Sequence, residues 1–136
     1  FMYLYERLAG NYSCEVVPGI SSLMASGAEL GRPLAARNDV LSVVPAPQDD
    51  SVIAEHLEQS DAIAFIKVGR HLQRVKGLIE QAGLMSQAAY LERVTLDNQR
   101  IMSLAATGDD VAPYFSMILI YKGGEEWIHA LPGSKA

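Results

Sequence analysis

The sequence predicts an α/β domain in which helices cover both faces of a mixed sheet of about five strands, a three-layer α-β-α arrangement. Three observations carry this prediction. Helical and strand-like segments alternate along most of the chain, and three strand-like segments then follow one another. The segment "AIAFIKV" at 62–68 is almost wholly apolar, which suits a strand covered on both faces. The 136 residues fit one domain, with no internal repeat or linker.

Four helices are predicted from apolar residues that recur three and four positions apart. They run from Phe1 to about Gly10, over 22–30, from 49–51 to about Gln59, and over 70–83. The first, "FMYLYERL", places Phe1, Leu4, Tyr5 and Leu8 on one face but has no capping residue before it. We therefore expect the chain to be part of a longer protein, although an engineered or processed terminus is an alternative.

The strand-like segments are short apolar runs bounded by glycine, proline or polar residues. They cover "CEVV" at 14–17, then 40–46, 62–68, 88–94, 99–105 and 113–122. The tail "EEWIHALPGSKA" at 125–136 is a candidate for one further short strand. Consecutive strands after an alternating region predict a partly antiparallel edge to the sheet.

Composition argues against several classes of protein. The net charge of −5 argues against bulk attraction to nucleic acid. No apolar run approaches the ~18 residues that a membrane span needs. Cys14 is the only cysteine, so no internal disulfide is possible and a reducing, cytoplasmic location is expected. The three histidines show no metal-binding spacing, and no motif indicates a catalytic nucleophile, so neither a metal site nor a catalytic residue is predicted.

Two strand-to-helix turns, "VVPGISS" and "IKVGRH", are candidate ligand sites. Open α/β sheets bind ligands beyond the carboxyl ends of their strands, and helix N-termini favour anionic groups. A serine after Pro-Gly can also be a plain helix cap. A basic cluster follows the second turn and comprises Lys67, Arg70, His71, Arg74 and Lys76. This cluster is either a solvated helix surface or a docking patch for a polycarboxylate.

The stretch "EVVPGISSLMASGAELGRPLAARNDVLSVVPA" resembles the tetrapyrrole methylases, which are S-adenosylmethionine-dependent enzymes of corrin and sirohaem synthesis. The shared pattern is a strand, Pro-Gly-Ile-Ser, and a helix of small residues that ends in Gly-x-Pro-Leu. The forms "GRPLAARNDVL", "IKVGRH" and "APYFSMILIY" look most like the branch that methylates precorrin-2 at C-20. The resemblance runs from Phe1 to about Lys122. It implies that residues 1–136 are the C-terminal domain of the two-domain fold, without the N-terminal domain.

The resemblance implies S-adenosylmethionine as cofactor and a tetrapyrrole as substrate. The cofactor contacts that it implies are Ser21, Ser22, Val68, Val94, Thr95 and Ser116. Val94 departs from the glycine usual in the family, so its contact depends on whether that position needs an unusual backbone angle. Arg37 and Arg70 are the arginines expected to meet the substrate's carboxylates.

Three interpretations remain open at this point. The substrate is precorrin-2 itself, or it is the cobalt-containing factor of the anaerobic route. Alternatively, the chain is a non-catalytic α/β module for dimerisation or interaction, since relatives in the family are homodimers.

Overall fold

The computed structural model describes residues 2–123 and shows a five-stranded mixed sheet. Its strands are β1 (Leu41–Pro45), β2 (Ala62–Ile66), β3 (Ala88–Glu92), β4 (Arg100–Ser103) and β5 (Ser116–Tyr121). Their spatial order is β1-β2-β5-β3-β4. Strands β1 and β2 are parallel, and the other three pairings are antiparallel. The predicted mixed sheet of about five strands is confirmed.

Helices lie on both faces of this sheet. The described helices are α1 (Met2–Leu8), α2 (Ser22–Glu29), α3 (Asp50–Gln59) and α4 (Leu72–Gln81), with short 3₁₀ turns at Gly69–His71, Met85–Gln87 and Leu104–Ala106. Residues of α3 and α4 pack on one face, and residues of α2 and the loop after it pack on the other. The predicted three-layer α-β-α arrangement is therefore confirmed.

The central strands are buried on both faces, as the apolar run at 62–68 predicted. All six residues of β5 are buried, as are the first four of β2. Ile63, Phe65 and Ile118 face α3 and α4, whereas Ala64 and Leu119 face α2. Side chains alternate between faces along a strand, so one short segment supplies both cores. Burying each large apolar side chain contributes about 1.5–3 kcal/mol.

The small residues of α2 allow close packing against the loop that follows it. A Cβ at Gly27 would lie 3.2 Å from the side chain of Leu34 and 3.3 Å from the carbonyl oxygen of Arg32. Contacts this short force a neighbour to shift, so a larger residue at position 27 would push the helix off the loop. The helix thus owes its small-residue composition at this point to packing.

One detail of the element prediction is wrong. Residues 14–17 form no strand in the structure, and Val16 and Val17 are exposed. A strand needs a neighbour to pair its backbone groups, and the described sheet ends at β1 and β4 without reaching this segment. Helix α1 forms as predicted, but none of its described residues is buried. The strand proposed for 125–136 lies outside the described residues. Within residues 2–123, no helix has the length and apolar character required to traverse a bilayer.

Candidate functional site

A concave feature lies where β2 and β3 end and β5 begins. Both strands run antiparallel to β5, so their carboxyl ends share one edge of the sheet with the start of β5. On the α2 side of this edge is a cavity of about 580 Å³, here called the α2-side cavity. Its lining comprises Ser22, Ser26, Ile66, Lys67, Leu91, Arg93, Val94, Leu96, Tyr114, Phe115, Ser116 and Met117.

The N-terminus of α2 reaches this cavity through Ser22. Ser21 is the N-cap of the helix, with extended backbone angles of φ −75° and ψ 157°. Its hydroxyl accepts a hydrogen bond from the backbone N–H of Met24 at 3.3 Å. Such caps stabilise helices by about 1 kcal/mol. The hydroxyl of Ser21 thus has a structural task, while Ser22 lines the cavity.

Ser26 places a buried hydroxyl in the cavity wall. It lies four residues after Ser22 and so on the same side of the helix. The residue is 1% exposed, and its hydroxyl has no hydrogen-bond partner among the described residues. Leaving a polar group buried and unpaired costs about 1–3 kcal/mol. A ligand group in the cavity would satisfy this hydroxyl.

Ser116 connects three segments at the floor of the site. Its hydroxyl donates a hydrogen bond to the carbonyl of Pro113 at 2.7 Å and accepts one from the N–H of Gly69 at 3.4 Å. The residue is nearly buried, at 9% exposure. The start of β5 is thereby fastened to the loop before it and to the turn after β2.

The loop after β3 forms another wall of the cavity and has an unusual backbone. Arg93 and Thr95 both adopt left-handed conformations, with φ of 47° and 68°. Such angles cost non-glycine residues roughly 1–2 kcal/mol. Val94, where the family resemblance implies a glycine, is not among the described residues with positive φ. Valine therefore fits its backbone, and the strain falls on its two neighbours.

Gln99 holds this loop against α2. Its side-chain oxygen accepts a hydrogen bond from the backbone N–H of Thr95 at 2.9 Å. Its amide nitrogen donates to the carboxylate of Glu29 at 2.7 Å. One side chain thus joins the two walls of the cavity.

Lys67 follows β2 in the same way that Arg93 follows β3. Its φ is 58°, again left-handed, and the residue lines the α2-side cavity. Sequence reasoning placed Lys67 in the candidate turn "IKVGRH" and in the basic cluster, but did not name it among the cofactor or substrate contacts. Ser26 was also missed, although its four-residue spacing from Ser22 was a visible signal.

A buried polar network lies on the opposite face of β3. The hydroxyl of Tyr90 donates a hydrogen bond to Glu92 at 2.9 Å. The same carboxylate pairs with Arg93 at 3.1 Å and Arg100 at 3.5 Å. Burial first, and then the hydrogen bond to Glu92, raise the pKa of Tyr90 well above its ordinary value. Glu92 thereby links the core to the left-handed Arg93 at the cavity.

The predicted site residues divide into three groups. Ser22, Val94 and Ser116 line the cavity, and Ser21 and Thr95 are their immediate chain neighbours. Val68 is fully buried and packs in the core cluster on the α3 and α4 side. Arg37 and Arg70 are exposed and do not line the cavity.

The predicted basic cluster is dispersed. Arg74 bonds to the carboxylate of Asp50 and to the carbonyls of Ala46 and Gln48. Lys76 donates to the carbonyl of Thr107 at 2.8 Å. These two cations thus join α4 to neighbouring segments of the fold.

Comparison with known proteins assigns the chain to a family. A profile of the Tetrapyrrole (Corrin/Porphyrin) Methylases matches residues 1–108. The chain belongs to the tetrapyrrole methylase family. It is 37% identical over 120 residues to the precorrin-2 C(20)-methyltransferase of Sinorhizobium sp, covering 88% of this chain and 49% of that protein. It is 33% identical over 132 residues to the cobalt-precorrin-2 C(20)-methyltransferase of Salmonella typhimurium, covering 96% of this chain and 54% of that one.

Solved structures show the tetrapyrrole methylase fold. The methyltransferase CobJ matches with a TM-score of 0.65 at 15% identity, over 88% of this chain and 56% of that one. Cobalt precorrin-4 methyltransferase CbiF matches with a TM-score of 0.63 at 17% identity, over 95% and 57%. A uroporphyrin-III C-methyl transferase from Thermus thermophilus, solved in complex with S-adenyl homocysteine, matches with a TM-score of 0.57 at 19% identity, over 87% and 56%. The chain spans about half the length of each of these relatives.

Proposed function

We propose that this chain is the C-terminal domain of an S-adenosylmethionine-dependent methyltransferase that methylates precorrin-2 at C-20 in cobalamin biosynthesis. The observation that carries the proposal is the α2-side cavity at the carboxyl ends of β2 and β3, beside the N-terminus of α2. Ligands bind open α/β sheets at this position. The 37% identical relative, a precorrin-2 C(20)-methyltransferase, supports the choice of reaction.

The residues of the cavity fit a nucleoside cofactor. Its volume of about 580 Å³ lies within the range of roughly 300–1,000 Å³ typical of small-molecule sites. Ile66, Leu91 and Met117 give it an apolar wall that suits an adenine ring. The buried hydroxyl of Ser26 offers a hydrogen bond that no described protein group satisfies. An apolar surface with a few polar groups is what a nucleoside needs for binding and orientation.

In this proposal the cofactor is held by the residues that the family resemblance implies. They are Ser21, Ser22, Val68, Val94, Thr95 and Ser116. A backbone group is the expected contact at Val94, because its side chain is apolar. Val68 is fully buried on the α3 and α4 side, and its contact stays a prediction. The expectation that Arg37 and Arg70 meet the substrate stays a prediction.

Methyl transfer places modest demands on the protein's own chemistry. When bound, S-adenosylmethionine supplies a methyl group on a positively charged sulfur, ready for a nucleophilic ring carbon. The residues of the cavity have to bind, orient and keep water away from the reacting atoms. The apolar wall and the fixed loops after β2 and β3 suit this task.

We further propose that the chain by itself does not turn over. Helix α1 exposes Met2, Tyr3 and Leu4 at 63%, 84% and 63% of their surface, and Ile20 is 85% exposed. An apolar surface of this kind suits contact with a further part of the enzyme. Incubation of the chain with precorrin-2 and S-adenosylmethionine should give no methylated product by mass spectrometry. A rate near the ~10 per second typical of enzymes would contradict this.

Titration with S-adenosylhomocysteine, followed by ¹⁵N–¹H NMR, tests the proposal directly. We expect shifts centred on the backbone amides of Ser22, Val94 and Ser116. An absence of any shift at millimolar ligand would favour a non-catalytic interaction module. A homodimer, checked by sedimentation, and a cytoplasmic location remain expectations from the family and the composition.

A second candidate within the family is methylation of cobalt-precorrin-2. The 33% identical relative from Salmonella typhimurium is a cobalt-precorrin-2 C(20)-methyltransferase and aligns over 132 residues. Competition assays on the longer enzyme that this proposal implies, with metal-free and cobalt-loaded substrate, separate the two. We expect the metal-free substrate to give the higher kcat/KM.

A further inference from the structure

Two strands that flank β5 end in the same way, each with a cation in a left-handed conformation. Strands β2 and β3 both run antiparallel to β5 and are therefore parallel to each other. Lys67 follows β2 with φ 58°, and Arg93 follows β3 with φ 47°. Two strand spacings separate their backbones, about 10 Å. Both residues line the α2-side cavity.

The left-handed angle at Lys67 interrupts the regular alternation of strand β2. Successive side chains of an extended strand point to opposite faces. Ile66 packs on the α2 face, so an extended Lys67 would point towards α3 and α4. Instead, Ile66 and Lys67 both line the α2-side cavity. The backbone thus departs from the extended strand at a basic residue that lines the cavity.

The charges around the cavity leave Lys67 available. Arg93 forms an ion pair with Glu92 at 3.1 Å. Lys67 is exposed, and its side chain has no hydrogen bond or ion pair with any residue in the described part of the chain. None of the described residues that line the cavity is acidic. The site therefore combines an apolar wall with an ammonium group that has no internal counter-charge.

We propose that Lys67 binds a carboxylate of the ligand in the α2-side cavity. This inference rests on the proposed function, since it assigns a residue to the same site. A lysine ammonium binds a carboxylate through charge-assisted hydrogen bonds. Both proposed ligands carry a carboxylate: the cofactor at its amino-acid end and the tetrapyrrole on its acid side chains.

Three probes distinguish these sources. S-adenosylhomocysteine carries an amino-acid carboxylate, methylthioadenosine lacks it, and uroporphyrin is a tetrapyrrole polycarboxylate. Each is titrated by NMR into the 136-residue chain and into its Lys67→Met and Lys67→Arg variants. Arg7→Met, which removes one exposed charge from α1, is the control. Thermal unfolding of each variant shows whether it is folded.

We expect Lys67→Met to weaken binding of at least one carboxylate ligand about tenfold, with Lys67→Arg retaining most of it. Weaker S-adenosylhomocysteine binding with unchanged methylthioadenosine binding assigns the carboxylate to the cofactor. Weaker uroporphyrin binding with unchanged S-adenosylhomocysteine binding assigns it to the substrate.

Two results would overturn the inference, and they can be told apart. If the original chain binds S-adenosylhomocysteine and Lys67→Met leaves the Kd of every bound probe unchanged, the role of Lys67 is wrong and the proposed function stands. If the original chain binds none of the probes, the proposed function fails and the inference fails with it.

Discussion

The backbone N–H of Gly69 donates a hydrogen bond to the hydroxyl of Ser116 over 3.4 Å, across the edge where β2 ends and β5 begins. The same hydroxyl donates to the carbonyl of Pro113 at 2.7 Å. Replacing Ser116 by Ala removes both bonds and leaves two backbone groups unpaired. We expect the free energy of unfolding to fall by about 1–3 kcal/mol, measured by urea denaturation.

This prediction has a control in Ser13→Ala. Ser13 is exposed and lies outside the sheet. Its replacement should change the free energy of unfolding by less than about 0.5 kcal/mol. Equal stability of the Ser13 and Ser116 variants would show that the Ser116 hydroxyl fastens nothing.

Ser26→Ala separates stability from ligand binding. The hydroxyl is buried and has no partner among the described residues, so its removal should leave the free energy of unfolding unchanged or raise it by about 1 kcal/mol. If a ligand group satisfies this hydroxyl, the affinity for S-adenosylhomocysteine should fall by roughly tenfold in the same variant. A variant that loses stability and keeps its affinity would contradict both expectations.

Tyr90 should make the fold sensitive to alkaline pH. Burial and the hydrogen bond to Glu92 raise its pKa in the folded state, while the unfolded state titrates near its ordinary value of about 10. The stabilisation of the fold by the protonated Tyr90 hydroxyl is fully present below about pH 10. It is lost as the pH rises towards the folded-state pKa. Within that window stability should fall by about 1.4 kcal/mol for each pH unit.

Tyr90→Phe isolates this effect, because phenylalanine has no proton to lose. The variant should be less stable at pH 8 by about 1 kcal/mol, since Glu92 loses one hydrogen bond. Above about pH 10 its stability should decline less steeply than that of the original chain. The free energy of unfolding of each protein is measured by urea denaturation from pH 8 to pH 11. If it declines equally steeply with pH in both proteins, Tyr90 has no role in alkaline unfolding.

The sequence was sufficient for the elements that depend on local pattern. The apolar run at 62–68 indicated a strand buried on both faces, and Ala62–Phe65 are indeed buried. The segment 14–17 shows the limit of such reasoning, because its apolar residues favour a strand but nothing in the described sheet pairs with it. Strand pairing is non-local, so the position of β5 between β2 and β3 was also outside what the sequence predicted.

The site was predictable where a residue's place follows from its neighbours in the chain. Ser22 follows a Pro-Gly turn and opens α2, and it lines the cavity. Lys67 was not predictable in this way, since "IKV" reads as a continuing strand. Its left-handed φ of 58° interrupts the alternation of faces expected of a strand. No residue type in that segment signals such an angle.

Gln99 should position the cavity wall without supporting the whole fold. Its side chain accepts a hydrogen bond from the N–H of Thr95 and donates one to Glu29, which joins the loop after β3 to α2. Both bonds are exposed, so Gln99→Ala should cost less than about 1 kcal/mol of stability. Hydrogen exchange at the amide of Thr95 should accelerate, and S-adenosylhomocysteine should bind several-fold more weakly.

Gln99→Glu tests the two bonds separately. Glutamate keeps an acceptor for the N–H of Thr95 but cannot donate to Glu29, and it places two carboxylates side by side. Protection of the Thr95 amide should therefore persist in this variant, while the loop separates from α2 and ligand affinity falls as it does in Gln99→Ala. Full affinity in Gln99→Glu would show that the link to Glu29 does not shape the cavity, and that the acceptor for Thr95 alone holds the loop in place.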